Sequence, residues 1–478
     1  MSAVGLIARD EIRLMTRNRV AIIAFVLVVL LTLVAVASSW AHQREIAELR
    51  ARQAEAAETA FKAQPDRHPH RVVHYGTFIF RPLGPLAAFD PGVDAFTGNS
   101  MFLEGHRQNS ANFGDVRQSS LLVRFGQLTP AFVLQVVAPL LLIFLGYGAL
   151  ARETERGTVR VLMLQGAGRG QIVRGKLLAL GAAALLAGLP AMIGLVAITA
   201  QPGVLGWPML AIALGYGGYL ALWTVLILLV SASVRRSRDA LLALVAVWAV
   251  AVVLLPRVAP DLASAAVPLT NRLQTEVAVA RDLRTMGDSH NPDDPHFAQF
   301  KRALLARYGV AKVEDLPINY KGAVGIEGER LTSAVYGRYA TANHVAQARQ
   351  NALVDAMGLL SPTIALRSLS MAAAGTDLAG HQRFLEQAEA YRYALVQRLN
   401  RMQMEDVSYA DDGATDAGAD RRKRVSARKW QAMPDFRFIA PDGRTLAAAA
   451  LPGLAIVFAW LAGALILLMV ASRRLGAR

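Results

Sequence analysis

The sequence predicts a mainly α-helical, polytopic membrane protein with six transmembrane helices and a mostly helical extramembrane domain, α with minor β. Three observations lead there. Of the 478 residues, 54% are hydrophobic and only 18% charged, which is more apolar than an ordinary soluble domain. Six runs lack Asp, Glu, Lys and Arg over lengths that suit a bilayer core of roughly 30 Å. Two long polar stretches, 40–127 and 257–445, separate these runs and carry helix and strand patterns of their own.

The runs are 20–39, 128–150, 177–200, 209–232, 240–256 and 446–470, the fifth being the shortest. With no ionisable side chain inside them, they offer no proton relay or ion path. Orientation follows from the arginines between them. Segment 1–19 holds Arg9, Arg13, Arg17 and Arg19; segment 151–176 holds Arg152, Arg156, Arg160, Arg169, Arg174 and Lys176; Arg235, Arg236 and Arg238 follow the fourth run, and Arg473, Arg474 and Arg478 lie in the tail 471–478. These four segments carry 16 basic and 5 acidic residues, against 35 and 31 in the remainder. By the positive-inside rule, both termini and the 151–176 connection are cytoplasmic, and 40–127 and 257–445 are periplasmic insertions of a multi-pass protein in a bacterial inner membrane. The charge-free connection 201–208 falls outside. The net charge of +15 thus reflects topology, and no nucleic-acid partner is expected. The absence of cysteine excludes disulfides, thiolate metal sites and thiol nucleophiles.

Run 20–39 is too long for a cleaved leader and lacks a cleavage motif, so it reads as an anchor. Ahead of it, Leu6, Ile7, Ile12, Leu14 and Met15 mix with Arg9, Arg13 and Arg17, the pattern of an amphipathic helix lying in the interface. After it, Ile46, Leu49, Ala56 and Ala60 continue the helix until Pro65 ends it. The β-branched and aromatic stretch 72–80 predicts a strand. In the second insertion, Leu331, Val335, Tyr339, Val345, Leu353, Met357 and Leu360, and later Leu385, Ala388, Leu395, Leu399 and Met402, recur at helical spacing. Between these two helices Gly375 reads as a helix stop and Thr376 and Asp377 as the next N-cap. Stretch 411–429, acidic then basic, predicts a mobile loop whose RRKR run at 421–424 is neutralised by its own acidic half, with contact to anionic head groups as the alternative. The amphipathic faces of the two insertions predict that they pack together.

The segment 153–164, ETERGTVRVLML, reads as a charged turn opening a short helix with Leu162 and Leu164 on one side, held along the membrane by spans at both ends. Such a helix can be gripped by a partner, with Glu153, Glu155, Arg156 and Arg160 as charge-pairing groups and Gly157 allowing close backbone approach. A basic juxtamembrane loop that only fixes topology is the alternative. The E-x-E-x-G-T pattern of Glu153, Glu155, Gly157 and Thr158, with the run 162–164 and the later Gly175-Lys176, resembles the coupling-helix region of type-2 ABC exporter (ABC-2) permeases. The N-terminal helix with Glu11 and Arg17 is similar to that family's elbow helix. The insertions resemble a branch of that family with large periplasmic insertions carrying a domain of unknown function, through HPHRVVHYGTFIFRP (68–82), FDPG (89–92), LEGH (103–106), YGV and EDLPINYKG (308–322), and SLSMAAAGTD and FLEQAEAYR (368–392).

The resemblance implies a membrane permease subunit, not itself an enzyme, that couples ATP hydrolysis by separate ABC ATPase subunits to export or to mechanical work on a periplasmic partner. It implies the bilayer and a second permease subunit, identical or related, as further partners. No cofactor is expected on this chain; ATP and magnesium belong to the ATPase. The Gly170–Lys176 stretch imitates a phosphate-binding loop, but Leu177 stands where Ser or Thr is required and no strand precedes it. All nine histidines lie in the insertions. No metal ligand is assigned; His68, His70, His74 and His106 are the candidates for an imidazole site for copper or zinc, against the alternative that they hydrogen-bond within a polar fold. Two further readings stay open: a transporter subunit for metal delivery or metalloprotein assembly, and a membrane-anchored periplasmic binding scaffold.

Overall fold

The computed structural model describes residues 2–109, 128–199 and 206–475, apart from 288, 290 and 292. The readings made on 110–127, on most of the 201–208 connection, on His290 and on the end of the tail lie outside the described residues. The protein is 77% helical.

Helix α1 (Ala3–Arg17) is capped by Ser2, and Asn18 ends it while its own side chain caps the start of α2 (Arg19–Lys62). That helix runs unbroken through the first apolar run and beyond it, 44 residues or about 66 Å at 1.5 Å per residue. Then come α3 (Pro69–Tyr75) and the antiparallel hairpin of β1 (Thr77–Phe80) and β2 (Ser100–Leu103), in which Ile79 faces Met101. The strand expected over 72–80 is therefore confined to its second half. His68 caps and Pro69 starts a helix, and Gly76, at φ +68°, stops it where a Cβ would lie 2.7 Å from Leu103 O.

Beyond the hairpin run α4 (Pro130–Glu155), the short α5 (Thr158–Leu164), α6 (Arg169–Thr199), α7 (Gly206–Ser233) and α8 (Ser237–Ala266). With α2 and the last helix, four of these five complete six helices long and apolar enough to cross a membrane, α5 being the exception. Between the fifth and sixth of these come α9 (Arg272–Met286), α10 (Pro295–Tyr308), α11 (Tyr320–Ala356), α12 (Pro362–Ala374) and α13 (Leu378–Asp406), and α14 (Gly443–Ser472) returns to the bundle.

The bundle is organised around α7, whose Tyr216, Tyr219 and Trp223 are fully buried against Leu134, Leu142 and Leu180. Two spans carry π turns, Val133–Val137 in α4 and Ala249–Leu254 in α8. Such turns disturb the helical ladder and leave carbonyls to be satisfied from outside. Tyr219 donates to Gln135 O at 2.9 Å, Trp248 to Val136 O at 3.1 Å and Ser361 to Ala251 O at 2.5 Å.

One element was not legible as membrane-associated. Helix α12, 13 residues long, is too short to span, yet it packs between α7 and α14 and is buried along most of its length. Small residues admit it: a Cβ on Gly453 would come within 2.6 Å of Ala365 O, and one on Gly215 within 2.8 Å of Leu369. Gly375, at φ +69°, stops α12, and Asp377 caps α13 through Gly380 N at 2.9 Å. Thr376 does not cap; its hydroxyl donates to Asp90 O at 3.0 Å.

Apart from α12, the described parts of the two insertions pack together, as their amphipathic faces predict. Phe61, Val72 and Val73 of the first pack on Leu395, Val396, Leu399 and Trp430 of the second, and the hairpin's Ile79, Met101 and Leu103 pack on Phe384 and Ala388. The 411–429 stretch is pinned down instead of forming the mobile loop expected. Arg422 pairs with Asp411 and Asp416, Arg424 with Asp420, Val425 N donates to Arg67 O at 3.0 Å, and Trp430 just beyond is fully buried. The acidic half neutralises two of the four cations of the RRKR run, Arg422 and Arg424, through pairs that fold the segment back on itself.

Candidate functional site

At the arginine-rich end of the bundle, three segments distant in sequence meet on one lysine. In α1 the positions Val4, Ile7, Glu11 and Met15 share a face by their spacing of three and four, and that face lies along α6. A Cβ on Gly175 would sit 2.7 Å from Ile7 Cγ2 and 3.0 Å from Val4 O, so this glycine sets the distance between the helices. Next to it Lys176, 2% exposed, pairs with Glu11, 1% exposed, and lies 3.2 Å from Glu153 Oε1. Arg152 Nη2 stands 4.0 Å from the other oxygen of Glu11. The phosphate-loop imitation thus lies inside a helix, with its lysine already committed.

The turn between α4 and α5 is built on the same group. Glu153 accepts from the Thr158 hydroxyl, which also donates to the Glu153 carbonyl at 3.2 Å. Glu155 accepts from Ser237 N at 3.1 Å and Ser237 Oγ at 2.8 Å, tying the turn to the start of α8. Ser231 of α7 accepts from Leu150 N and Ala151 N at 3.0 and 2.9 Å and donates to Tyr147 O at 2.8 Å, fixing the chain just before it. Glu153 is engaged within the chain and partly buried, whereas Glu155, though bonded to Ser237, stays exposed.

Gly157 adopts φ +73°, ψ 3°, and a Cβ on it would meet nothing within 4 Å. Within this chain it makes the left-handed turn between the two helices and leaves open space on its outer side, while close approach between the chain's own helices is the role of Gly175. The two leucines also separate. Val159 (1% exposed), Leu162 and Met163 face the bundle with Ile7 and Ala167, whereas Arg160, Val161 (51%) and Leu164 (88%) face out, because residues two apart on a helix diverge by about 200°. Arg156 and Arg160 are exposed, and so is Arg17 at the end of α1, away from the lysine. Of the elbow residues, only Glu11 reaches the cluster.

Sequence reading named Lys176 only as part of a motif and did not pair it. A lone glutamate in the apolar stripe of a basic helix, and a lone lysine opening a charge-free run, were the signal that each needs a buried partner. Ser231 and Ser237 left no comparable trace.

Residues 6–300, more than half of the chain, match the family described as ABC-2 family transporter protein. The chain belongs to the ABC-2 transporter family. Residues 272–439 match a domain of unknown function, DUF3526, which coincides with the helical domain around α11 and α13. No curated protein matches the chain. As an ABC-2 permease it is a multi-pass membrane subunit of an ABC transporter, not itself catalytic, of a family that works with an ABC ATPase in the membrane.

Of the four histidine candidates, three converge. His70 and His74, one turn apart on α3, bring their Nε2 atoms to 3.1 Å, and His106 joins them with all three ligand atoms within 4.8 Å of one another. His68 stands apart: its Nδ1 accepts from His70 N at 3.1 Å and its Nε2 lies 3.1 Å from Asp412 Oδ1. Burial works against the Asp412 charge, but hydrogen bonds from His68, Gln403 and Asn319 outweigh it and hold the carboxyl well below its ordinary range.

Proposed function

We propose that the chain couples ATP hydrolysis by a separate ATPase subunit, which carries ATP and magnesium, to export or to mechanical work on a periplasmic partner. The coupling element is the 151–176 connection, with Glu153, Glu155, Gly157, Thr158 and Leu162 shaping it and Arg156 and Arg160 offered to the ATPase. The observation that carries this reading is the Glu11–Lys176–Glu153 cluster. It joins α1 and the end of α4 to α6, and the Thr158 hydroxyl on Glu153 ties the start of α5 to the same group, so force applied to α5 acts on α1, α4 and α6 together. An isolated topology loop needs no such linkage. In this reading both termini and α5 lie in the cytoplasm, the helical domain lies in the periplasm, and two permease subunits, identical or related, assemble in the inner membrane.

The chain has no cysteine, so single cysteines at exposed Gln165 and Ser408 report the orientation directly. An impermeant thiol reagent applied to intact spheroplasts should label the Ser408 variant alone, and the tagged chain should co-purify with an ATPase. Labelling at Gln165 alone, or purification with no ATP-hydrolysing partner, would remove the proposal.

A further inference from the structure

We propose that His70, His74 and His106 form a three-histidine site for a divalent zinc-type cation, with the fourth coordination position open to solvent. The geometry begins in the sequence, where HxxxH on a single helical turn sets two imidazoles on one face. Their Nε2 atoms stand 3.1 Å apart, and two nitrogens bound to one tetrahedral zinc at 2.0–2.1 Å are separated by about 3.3 Å. A hydrogen bond between the two rings explains that distance but not the arrival of a third ring, whose centroid lies 5.6 and 5.4 Å from the other two.

The third ring is delivered by specific construction. Gly105 runs so close to α3 that a Cβ there would lie 2.1 Å from Val73 Cγ1, which places the next residue beside the two histidines. His106 itself holds φ +62°, the one non-glycine residue at positive φ among the described residues, a backbone state unfavourable for a side-chain-bearing residue and frequent at functional sites. It is held there by Glu329, fully buried, which accepts from His106 N at 3.1 Å and stands 3.8 Å from His106 Nδ1. A buried carboxylate behind the imidazole is the kind of outer-shell group found behind metal-binding histidines. Glu329 is fixed in turn by Arg392 at 2.7 Å and Ser333 at 3.1 Å.

His68 is excluded as a ligand because both of its nitrogens are used in capping α3 and meeting Asp412. His74 is exposed while His70 and His106 are half-buried, so three protein ligands approach from one side and the other side is open. Imidazole sets of this kind suit zinc among the borderline cations. The site lies in the domain and rests on none of the coupling residues.

The test uses full-length protein in detergent, carrying a non-histidine affinity tag and stripped with a chelator. Zinc is titrated calorimetrically, and cobalt serves as a visible probe of tetrahedral nitrogen ligation. One equivalent of zinc per chain is expected, with at least tenfold weaker binding in His74→Ala and in His106→Ala and no change in His344→Ala. Because His74 is exposed, His74→Ala should keep the thermal unfolding profile of the stripped protein, which separates loss of a ligand from loss of fold. Unchanged zinc affinity in both His74→Ala and His106→Ala, or no zinc bound by the unmodified chain, would overturn the site.

Discussion

Two buried cations, each set between carboxylates, do different work at opposite ends of this permease. Arg392 in the helical domain engages all three of its nitrogens: its guanidinium meets Glu389 through Nε and Nη2 at 2.8 and 2.7 Å, Glu329 at 2.7 Å, Ser333 at 2.8 Å and Glu104 O at 3.2 Å. Lys176 at the arginine-rich end meets, among the described residues, Glu11 and Glu153, and Glu153 is partly open to solvent. A planar fork with all three nitrogens engaged locks its surroundings, whereas an ammonium on a flexible stem can re-aim. The first suits a domain that must hold a loop in a left-handed conformation, and the second suits a joint between elements that move.

The largest effect expected from breaking this comparison is at Arg392. Arg392→Met leaves Glu329 buried beside no counter-charge, which should cost about 3–5 kcal/mol; thermal unfolding of the purified chain measures it, and adding Glu329→Gln should recover part of the loss. Lys176→Met should fall at the lower end of that range of about 3–5 kcal/mol, because Arg152 already stands 4.0 Å from Glu11 and can take over. Its own signature is earlier proteolysis of α1. Equal losses, with no release of α1, would erase the distinction between lock and joint.

Much of this was legible in the sequence because the bilayer imposes a strong filter. Charge-free runs marked the six spans, and the stripe after the first of them marked the long extension of α2. Helix α12 escaped because 13 residues with Ser368, Ser370 and Arg367 look like an extramembrane helix; only the small residues of α7 and α14 that receive it reveal its place. The π turns escaped because periodicity does not register one extra residue per turn. At the candidate site the segment was legible, but the division of labour was not. Which glutamate points inward depends on Lys176, Thr158 and Ser237, and no spacing rule connects residues 11, 153 and 176.

A smaller effect should appear with pH. The Asp412 carboxyl is held below its ordinary value of 3.8 in the folded domain, so its contribution to stability is complete above that value and is lost as pH falls through the lower folded one. Acid unfolding of the unmodified chain should therefore steepen below about pH 4, and Asp412→Asn should be less stable at neutral pH with a flatter acid limb. Smaller again is Gly157→Ala, which forces a side chain into a left-handed turn with open space around it, at about 1 kcal/mol. Gly157→Asn should cost less.

The smallest effect on folding belongs to the pair on which the functional reading depends most. Arg156→Glu with Arg160→Glu changes two exposed side chains and should leave thermal unfolding within about 0.5 kcal/mol of the unmodified chain. The decisive measurement is ATP turnover and recovery of the ATPase that co-purifies with this double variant. The account predicts normal membrane insertion with at least tenfold loss of recovered ATPase or of its coupled turnover. Unchanged recovery and turnover in a normally inserted variant would contradict it and reduce α5 to a topology anchor.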